Sequence, residues 1–465
     1  MFTNALAFLC GVAFAVPTLP AIETVQVLPD GDDATGALVA REWGNGTVVV
    51  VEDHRVPLVS VTLSLRTGER DRWWHANDLD YLWRTLITPE IRDGRDPRFS
   101  AWVAGYSCGL SFTARPADLG ELMGLVHARL VTEYDEYQRT IRRPRARRAW
   151  RMQLASPEFV ISQAIARAYF RLTDPRRLDY ELPEFLPTKD IDLVELRDAL
   201  VASDGWIWSF AGDIDVDTAI TQVARTMPAN SVLGQAREIE TFPLPQRLGA
   251  AGQTTTLGLP GIEEVVTALA RPGLGLADPD ADAALLADAV VVRRLERVVR
   301  QGRGDSYAFT TDGLLAITPD VYVMTSMTSP PRVDAHRHAV MAELARIAAG
   351  GLDFEEIERA RRVLRMSELR KSQAPDERAQ VWIRDLHRSE LAPGSQDLGE
   401  RGLSVSAERV SAFAREFYSP EMFSEFALGP TPWAQAEQRA QAAAKKALEQ
   451  AASAAPPPPT EAPTQ

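Results

Sequence analysis

Six histidines lie at positions 54, 75, 127, 336, 338 and 387, and the first chemistry they invite is metal binding. Two imidazoles one helical turn apart can share a zinc ion, and a glutamate between them can take a proton from the zinc-bound water. No pair here has His-x-x-x-His or His-x-x-Glu-His spacing. His336 and His338 are two apart, which puts them on different faces of a helix. His75 follows Trp73 and Trp74 and precedes Asp78, where a turn or surface histidine is a simpler account than a shifted ligand. Cys108 falls in a predicted hairpin and reads as a packed small apolar residue rather than a nucleophile. The strongest charge feature is RRPRARRAWRMQ (142–153), which contains no acid. It suits an acidic partner or peptide, but a solvated helix face is the simpler account. Trp73, Trp74, Trp83, Trp102 and Trp150 cluster around these segments in sequence, and such aromatics serve as interface anchors or as core.

The elements that must position these residues fall into two halves. NGTVVVVEDHR (45–55) is a β-branched run entered through Asn-Gly, and VPLVSVTLSLRTGER (56–70) alternates apolar and polar residues as a half-buried strand does. A helical stretch follows near 77–90. Two strands within 99–114 fold back at Gly105–Ser107, and an amphipathic helix spans 117–131. Helical segments at about 141–171 and 190–203, a strand at 205–215 and a helix at 216–227 complete the half. After a linker at about 238–248 the order returns. Strands lie at 254–275, a helix at 281–301, two strands at 306–329 with a turn near Asp312–Gly313, then a helix at 332–352 ending at Gly350–Gly351. Helix continues through 354–390. Strand, helix, hairpin, helix thus occurs twice, which predicts a duplicated α+β unit with helices covering one face of each mixed sheet.

The chain ends and composition narrow the setting. Residues 5–16 are almost wholly apolar and Ala-Phe-Ala at 13–15 suits a cleavage site, so a signal peptide over 1–21 and an exported, periplasmic or extracellular protein are expected. Pro17 and Pro20 shorten the run below a bilayer span, so no membrane span is expected in the mature form. Removal of the signal leaves Cys108 as the only thiol, which forbids an internal disulfide. Residues 431–465 form an Ala-rich, then Pro-rich, tail that reads as disordered. With 465 residues, 45% of them apolar and 25% charged, the chain has globular usage. Its formal charge of -13 argues against binding nucleic acid.

The order and wording of these segments resemble the insulinase/pitrilysin family of zinc peptidases, which includes the mitochondrial processing peptidase subunits. The likeness covers roughly 40–430 and rests on NGTVVVVEDHRVPLVSVTLSLRTGERD, FAGDIDVDTAI, ADPDADAALLADAVVVRRLERVVRQGRGDSYAF and AHRHAVMAELARIAAGGLDFEEIERARRVLR. It implies two homologous domains, 22–237 and 238–430. Peptide-cleaving members carry His-x-x-Glu-His on the first helix after the opening strands. The matching stretch here is DLDYLWRTLI (78–87), with Tyr81, Arg84 and Thr85 at the three positions and Arg151 near that of the distal glutamate. Tyrosine and threonine are not usual zinc ligands, and a guanidinium stays protonated, so it cannot act as the base. One pair survives: Arg300 and Tyr307, in RQGRGDSY, match residues the family presents to bound peptide, where they would donate hydrogen bonds to a peptide carbonyl or developing oxyanion.

The resemblance therefore implies a catalytically silent subunit, without the zinc its relatives use. It would bind extended peptide, by strand addition to a sheet edge, and complete the chamber of an active zinc-peptidase partner in a heterodimer, or pair as a homodimer. An active zinc metalloendopeptidase with unrecognised ligands and a stand-alone periplasmic peptide-binding protein are the alternatives. The purified mature chain, loaded with zinc and cleared of loose ions, is expected to retain none by atomic emission. One tightly held zinc per chain would show that Tyr81, Arg84 and Thr85 are misplaced.

Overall fold

In a computed structural model of the chain, the described residues are 26–27, 38–43, 46–66, 99–103, 107–131, 148, 151–171, 174–178, 198, 206–227, 245–246, 248, 254–301, 309–316, 320–371, 375–391 and 398–454. The first sheet holds β1 (Gln26–Val27), β2 (Leu38–Trp43), β3 (Gly46–Glu52), β4 (Val59–Arg66), β5 (Ser100–Val103), β6 (Ser107–Ala114) and β7 (Trp206–Gly212). Their order across the sheet is β1-β2-β3-β7-β4-β6-β5. The second sheet holds β8 (Thr254–Leu259), β9 (Val265–Pro272), β11 (Phe309–Asp312), β13 (Val321–Thr328) and β14 (Ser424–Pro430), ordered β11-β13-β9-β14-β8. Beside it, β10 (Leu274–Gly275) and β12 (Leu315–Ala316) form a short parallel pair.

The duplication is visible in the pairing. β3 lies parallel to β7, and β8 parallel to β14; the next three pairings in each sheet are antiparallel. Position for position, β3-β7-β4-β6-β5 repeats as β8-β14-β9-β13-β11. This is the α+β, two-sheet architecture the sequence predicts.

Helices cover each sheet according to the alternation of its side chains. Val59, Val61, Leu63 and Leu65 of β4 and Trp206, Trp208 and Phe210 of β7 point into one core. It is closed by α1 (Leu119–Val131) and α3 (Val216–Thr226) through Leu122, Met123, Val126, Ile220 and Val223. Asp215 caps α3 by accepting from the Thr218 amide at 2.7 Å, and that bond holds its carboxyl below the ordinary range. The corresponding face of the second sheet is closed by α4 (Ala281–Glu296), α5 (Val333–Gly350), α6 (Phe354–Lys371) and α9 (Ala407–Phe417), the last reached through α8 (Leu398–Ser404).

The opposite faces are covered by exchange. The run Val48–Val51 is apolar on both sides, so β3 needs cover on its second face as well. That cover is α7 (Pro375–Leu391) from the second half, whose Ala379 and Ile383 pack on Val49, Val51, Ile207 and Ala211. Gln380 Nε2 donates to Thr62 Oγ1 at 2.9 Å on the same face. Reciprocally, α2 (Pro157–Tyr169) of the first half places Ile161, Ile165 and Tyr169 against Val266, Ala268, Ala270, Phe426 and Leu428. The Tyr169 hydroxyl donates to the Ala270 carbonyl at 2.6 Å. Helices therefore cover both faces of each sheet, where the sequence predicted one.

The tail also departs from expectation. Thr431–Ala454 forms α10, and its first turns belong to the fold. Ala434 is buried and Trp433 packs with Val265, Val333 and Ala427. Gly429 makes room for it, because a Cβ there would run into the Trp433 ring. Gln438 Nε2 donates to the Thr256 carbonyl at 2.8 Å, so the helix shields the β8 edge. From 438 to 447 every residue of the helix except Gln441 is exposed. The polar composition of the segment hid the anchor at its start. No helix among the described residues is long and apolar enough to cross a membrane.

Exchange predicts a crossed effect of mutation. Ile165→Ala should cost about 2–5 kcal/mol, as a buried isoleucine truncation does. Hydrogen exchange should then accelerate first in β9 and β14 of the opposite half, and Ile383→Ala should do the same to β3 and β7.

Candidate functional site

The exchanged helix α2 covers the middle of the second sheet, with Leu257 and Leu259 of β8 and Val321 and Val323 of β13 packed beside it, and leaves β11 and the far part of β13 less covered on that face. Between α2 and strands β11 and β13 lies a cleft of about 680 Å³, in the range of sites that hold small ligands or peptide side chains. Alternation decides what it contains. On β13, Val321, Val323, Thr325 and Met327 face the cleft, and Tyr322, Met324 and Ser326 direct their side chains to the helices behind. On β11, Thr310 faces the cleft and meets Thr325 at 2.6 Å, hydroxyl to hydroxyl, as their register requires. From α2 come Ile161, Ser162 and Ile165, within about one helical turn of each other, followed by Phe170 just beyond its end. The floor is apolar, and the rim carries Glu158, Asp312 and Asp320.

Each rim carboxylate is held locally. Ser156 caps α2 and its hydroxyl donates to Glu158 at 2.5 Å; with the Glu158 backbone amide this keeps the carboxyl below its ordinary range. Asp312 accepts from the Gly313 amide at 2.8 Å, in a turn that Gly313 closes with φ 72°. Asp320 accepts from the Val321 amide at 2.7 Å as β13 begins. β11 is the outer strand of its sheet, and no described strand pairs with its far side.

Behind the cleft, a buried carboxylate fixes β11 to the helical layer. Asp288 of α4 accepts from Tyr322 at 2.5 Å and from Tyr418 at 3.1 Å on one oxygen, and from the Thr311 hydroxyl at 3.0 Å on the other. Burial pushes the Asp288 carboxyl above the ordinary range, with the three hydroxyls pulling the other way. Burial likewise puts both tyrosines well above theirs. Arg271 lies over the Phe417 ring at 3.6 Å, where burial pulls its guanidinium down to about 10.

Of the residues singled out from sequence, Tyr81, Arg84, Thr85 and Tyr307 lie outside the described residues, as does His75. Arg151 is exposed. Arg300 is exposed near the end of Arg297–Gln301, a wider helical turn that continues α4 and precedes β11 in the chain. Cys108 is buried in the first core. His54 is exposed and bonds Asp213 at 2.7 Å, which raises it above the ordinary imidazole range. His127 bonds the Thr226 carbonyl at 2.8 Å. Buried His336 meets Ser326 Oγ at 2.7 Å, the geometry of a nucleophile and its base. Both face the helical layer, where the adjoining space is about 20 Å³, too small for any substrate. The pair is therefore packing. Sequence reasoning did not single out Glu158, Asp320 or Asp288, and named Asp312 only as a turn residue.

No protein-family model matches the chain, and no curated protein does. Solved structures do. A peptidase M16 inactive domain from Pseudomonas fluorescens superimposes with a TM-score of 0.64 at 15% identity, over 83% of this chain and 97% of that one. The fold is that of the M16 peptidases. A protease from Helicobacter pylori matches with a TM-score of 0.66 at 13% identity, over 83% of this chain and 98% of that one. The periplasmic protease PqqL from Escherichia coli matches with 0.64 at 11% identity; 92% of this chain covers 49% of PqqL. So this chain spans one M16-type unit of two sheets, about half the length of PqqL. At these identities the likeness is one of fold.

Asp288 gives a signed pH dependence. Its folded pKa lies above the unfolded value near 3.8. The folded state thus binds the extra proton, and stability falls as pH rises from there through the folded value. Asp288→Asn, isosteric and uncharged, should flatten that slope by up to about 1.4 kcal/mol per pH unit. Urea midpoints of both proteins between pH 4 and 7 would show it, and parallel curves would mean that Asp288 is not the titrating group.

Proposed function

We propose that this chain is a non-catalytic M16-type subunit, exported to the periplasm or cell exterior, that grips extended polypeptide and completes the chamber of an active zinc-peptidase partner. The observation that carries the reading is the apolar cleft beside the open edge of β11. A peptide laid along that edge would gain backbone hydrogen bonds from β11, and its alternate side chains would enter the cleft. Arg300 and Tyr307 would donate further hydrogen bonds to the same peptide from the segment leading into β11.

Three things support the silent and paired parts of the reading. Tyr81, Arg84 and Thr85 at the zinc-motif positions, with Arg151 at the distal one, supply neither ligands nor a base. The matched P. fluorescens structure is itself described as an inactive domain. PqqL, a periplasmic protease, is about twice as long as the part this chain matches, so one polypeptide there has room for what pairing would supply here.

The full mature chain is expected to bind an unstructured peptide by fluorescence anisotropy without cleaving it, and a chelator should leave binding unchanged. Thr325→Trp, which fills the cleft from its β13 wall, should weaken binding about tenfold. Cleavage that a chelator abolishes would replace this reading with that of an active metallopeptidase. Peptide capture by a chain that stays alone beside a candidate zinc subunit would make it a stand-alone binder.

A further inference from the structure

The cleft has a composition that selects among peptides, and the inference drawn from it rests on the peptide-gripping reading above. Its floor is built from Ile161, Ile165 and Phe170 on one side and Val266, Val321 and Val323 on the other. Its polar lining is threonine and serine hydroxyl together with three carboxylates, Glu158, Asp312 and Asp320. No lysine, arginine or histidine is among its described lining residues. A cleft walled by low-dielectric side chains and edged by one sign of charge focuses its field on whatever enters. The chain as a whole, at -13, adds to that field.

The carboxylates are spread along the cleft rather than gathered at one point. Tyr169, at the end of α2, bonds the Ala270 carbonyl, and Ala270 pairs in register with Val323, which in turn pairs with Asp312. The C-terminal end of α2 thus lies at the level of Asp312. Glu158 is eleven residues earlier on the same helix, about 16 Å along its axis at 1.5 Å per residue. An extended peptide covers that length in about five residues, and its first, third and fifth side chains point the same way. The apolar floor lies between the two anionic ends.

We propose that the cleft takes extended segments of the form basic–x–apolar–x–basic, with the apolar side chain on the floor and lysine or arginine at the carboxylates. A peptide is favoured over a small organic cation because the adjoining strand edge offers a row of backbone donors and acceptors.

The test uses the full mature chain and three fluorescein-labelled nine-residue peptides that differ only at the two flanking positions, with lysine, glutamine or glutamate, around a central leucine. The lysine peptide should bind at least tenfold more tightly than the glutamine peptide, and the glutamate peptide more weakly than either. The advantage should shrink as salt rises from 50 to 500 mM, in line with the shorter screening length. Glu158→Gln with Asp312→Asn, both at exposed positions, should reduce the lysine preference to about twofold while the glutamine peptide keeps its affinity. Equal binding of the lysine and glutamine peptides would overturn the charge selectivity and leave peptide gripping standing. Failure of all three to bind would overturn both. Preference for lysine that survives the double substitution would place the selecting charges elsewhere and overturn this assignment.

Discussion

The constraint on which the rest depends is that both sheets are apolar on two faces and each half supplies helices in bulk for only one. Val48–Val51 are all buried, and the same holds across Trp206–Gly212. A strand buried on both faces must be covered twice. The chain meets the requirement by giving α7 to the first sheet and α2 to the second. Full burial of a side chain of this size contributes roughly 1.5–3 kcal/mol. Ile161, Ile165, Ala379 and Ile383 therefore join the halves with a free energy comparable to the net stability of a typical domain, about 5–15 kcal/mol. The two sheets are consequently one folding unit, although their duplicated order and pairing identify them as two copies of one design.

Exchange also makes the cleft. α2 is narrower than the five-stranded sheet it crosses: it packs on Val321 and Val323 at the start of β13, and beyond them, toward Thr325, Met327 and β11, a trough is left with the helix for one wall. Of the cleft's described lining residues, six come from 158–170 and eleven from 266–327. The site exists only when both halves are in place.

The repeated strand–helix–hairpin–helix order was legible because β-branched runs and 3.6-residue apolar periods report local structure directly. The turn at Asp312–Gly313 was legible for the same reason, since glycine is favoured where φ is positive. The exchange was not. An apolar stripe on 157–169 says that the stripe is buried, and nothing in it distinguishes the nearer sheet from the farther one. Glu158, Asp312 and Asp320 were unreadable as a group for a related reason: 154 residues separate the first two, and each, taken alone, is an ordinary helix-start or turn acid. The buried Asp288 was hidden inside an alanine- and valine-rich helix, where it resembles any solvent-facing residue. The positions that sequence comparison marked most strongly, Tyr81, Arg84, Thr85 and Tyr307, lie outside the described residues. The cleft is thus an independent line of argument.

Asp288 bears on why the cleft should keep its shape. A buried acid raised by desolvation is a cost to the fold, and replacement by an apolar residue of similar size is often neutral or stabilising. What the acid supplies is direction: its two oxygens fix Thr311 on β11, Tyr322 on β13 and Tyr418 beyond α9 at once. Thr311 alternates with Thr310 and Asp312, the β11 residues that face the cleft. Holding Thr311 from behind therefore sets the height and twist of the outer strand before any peptide arrives. An edge strand without such a tether would have to be ordered on binding, at a cost in conformational entropy that weakens affinity. On the proposed reading, an edge strand held from behind in this way would accept an extended chain without first being ordered, and the carboxylates at the cleft would then discriminate among the chains that come to it.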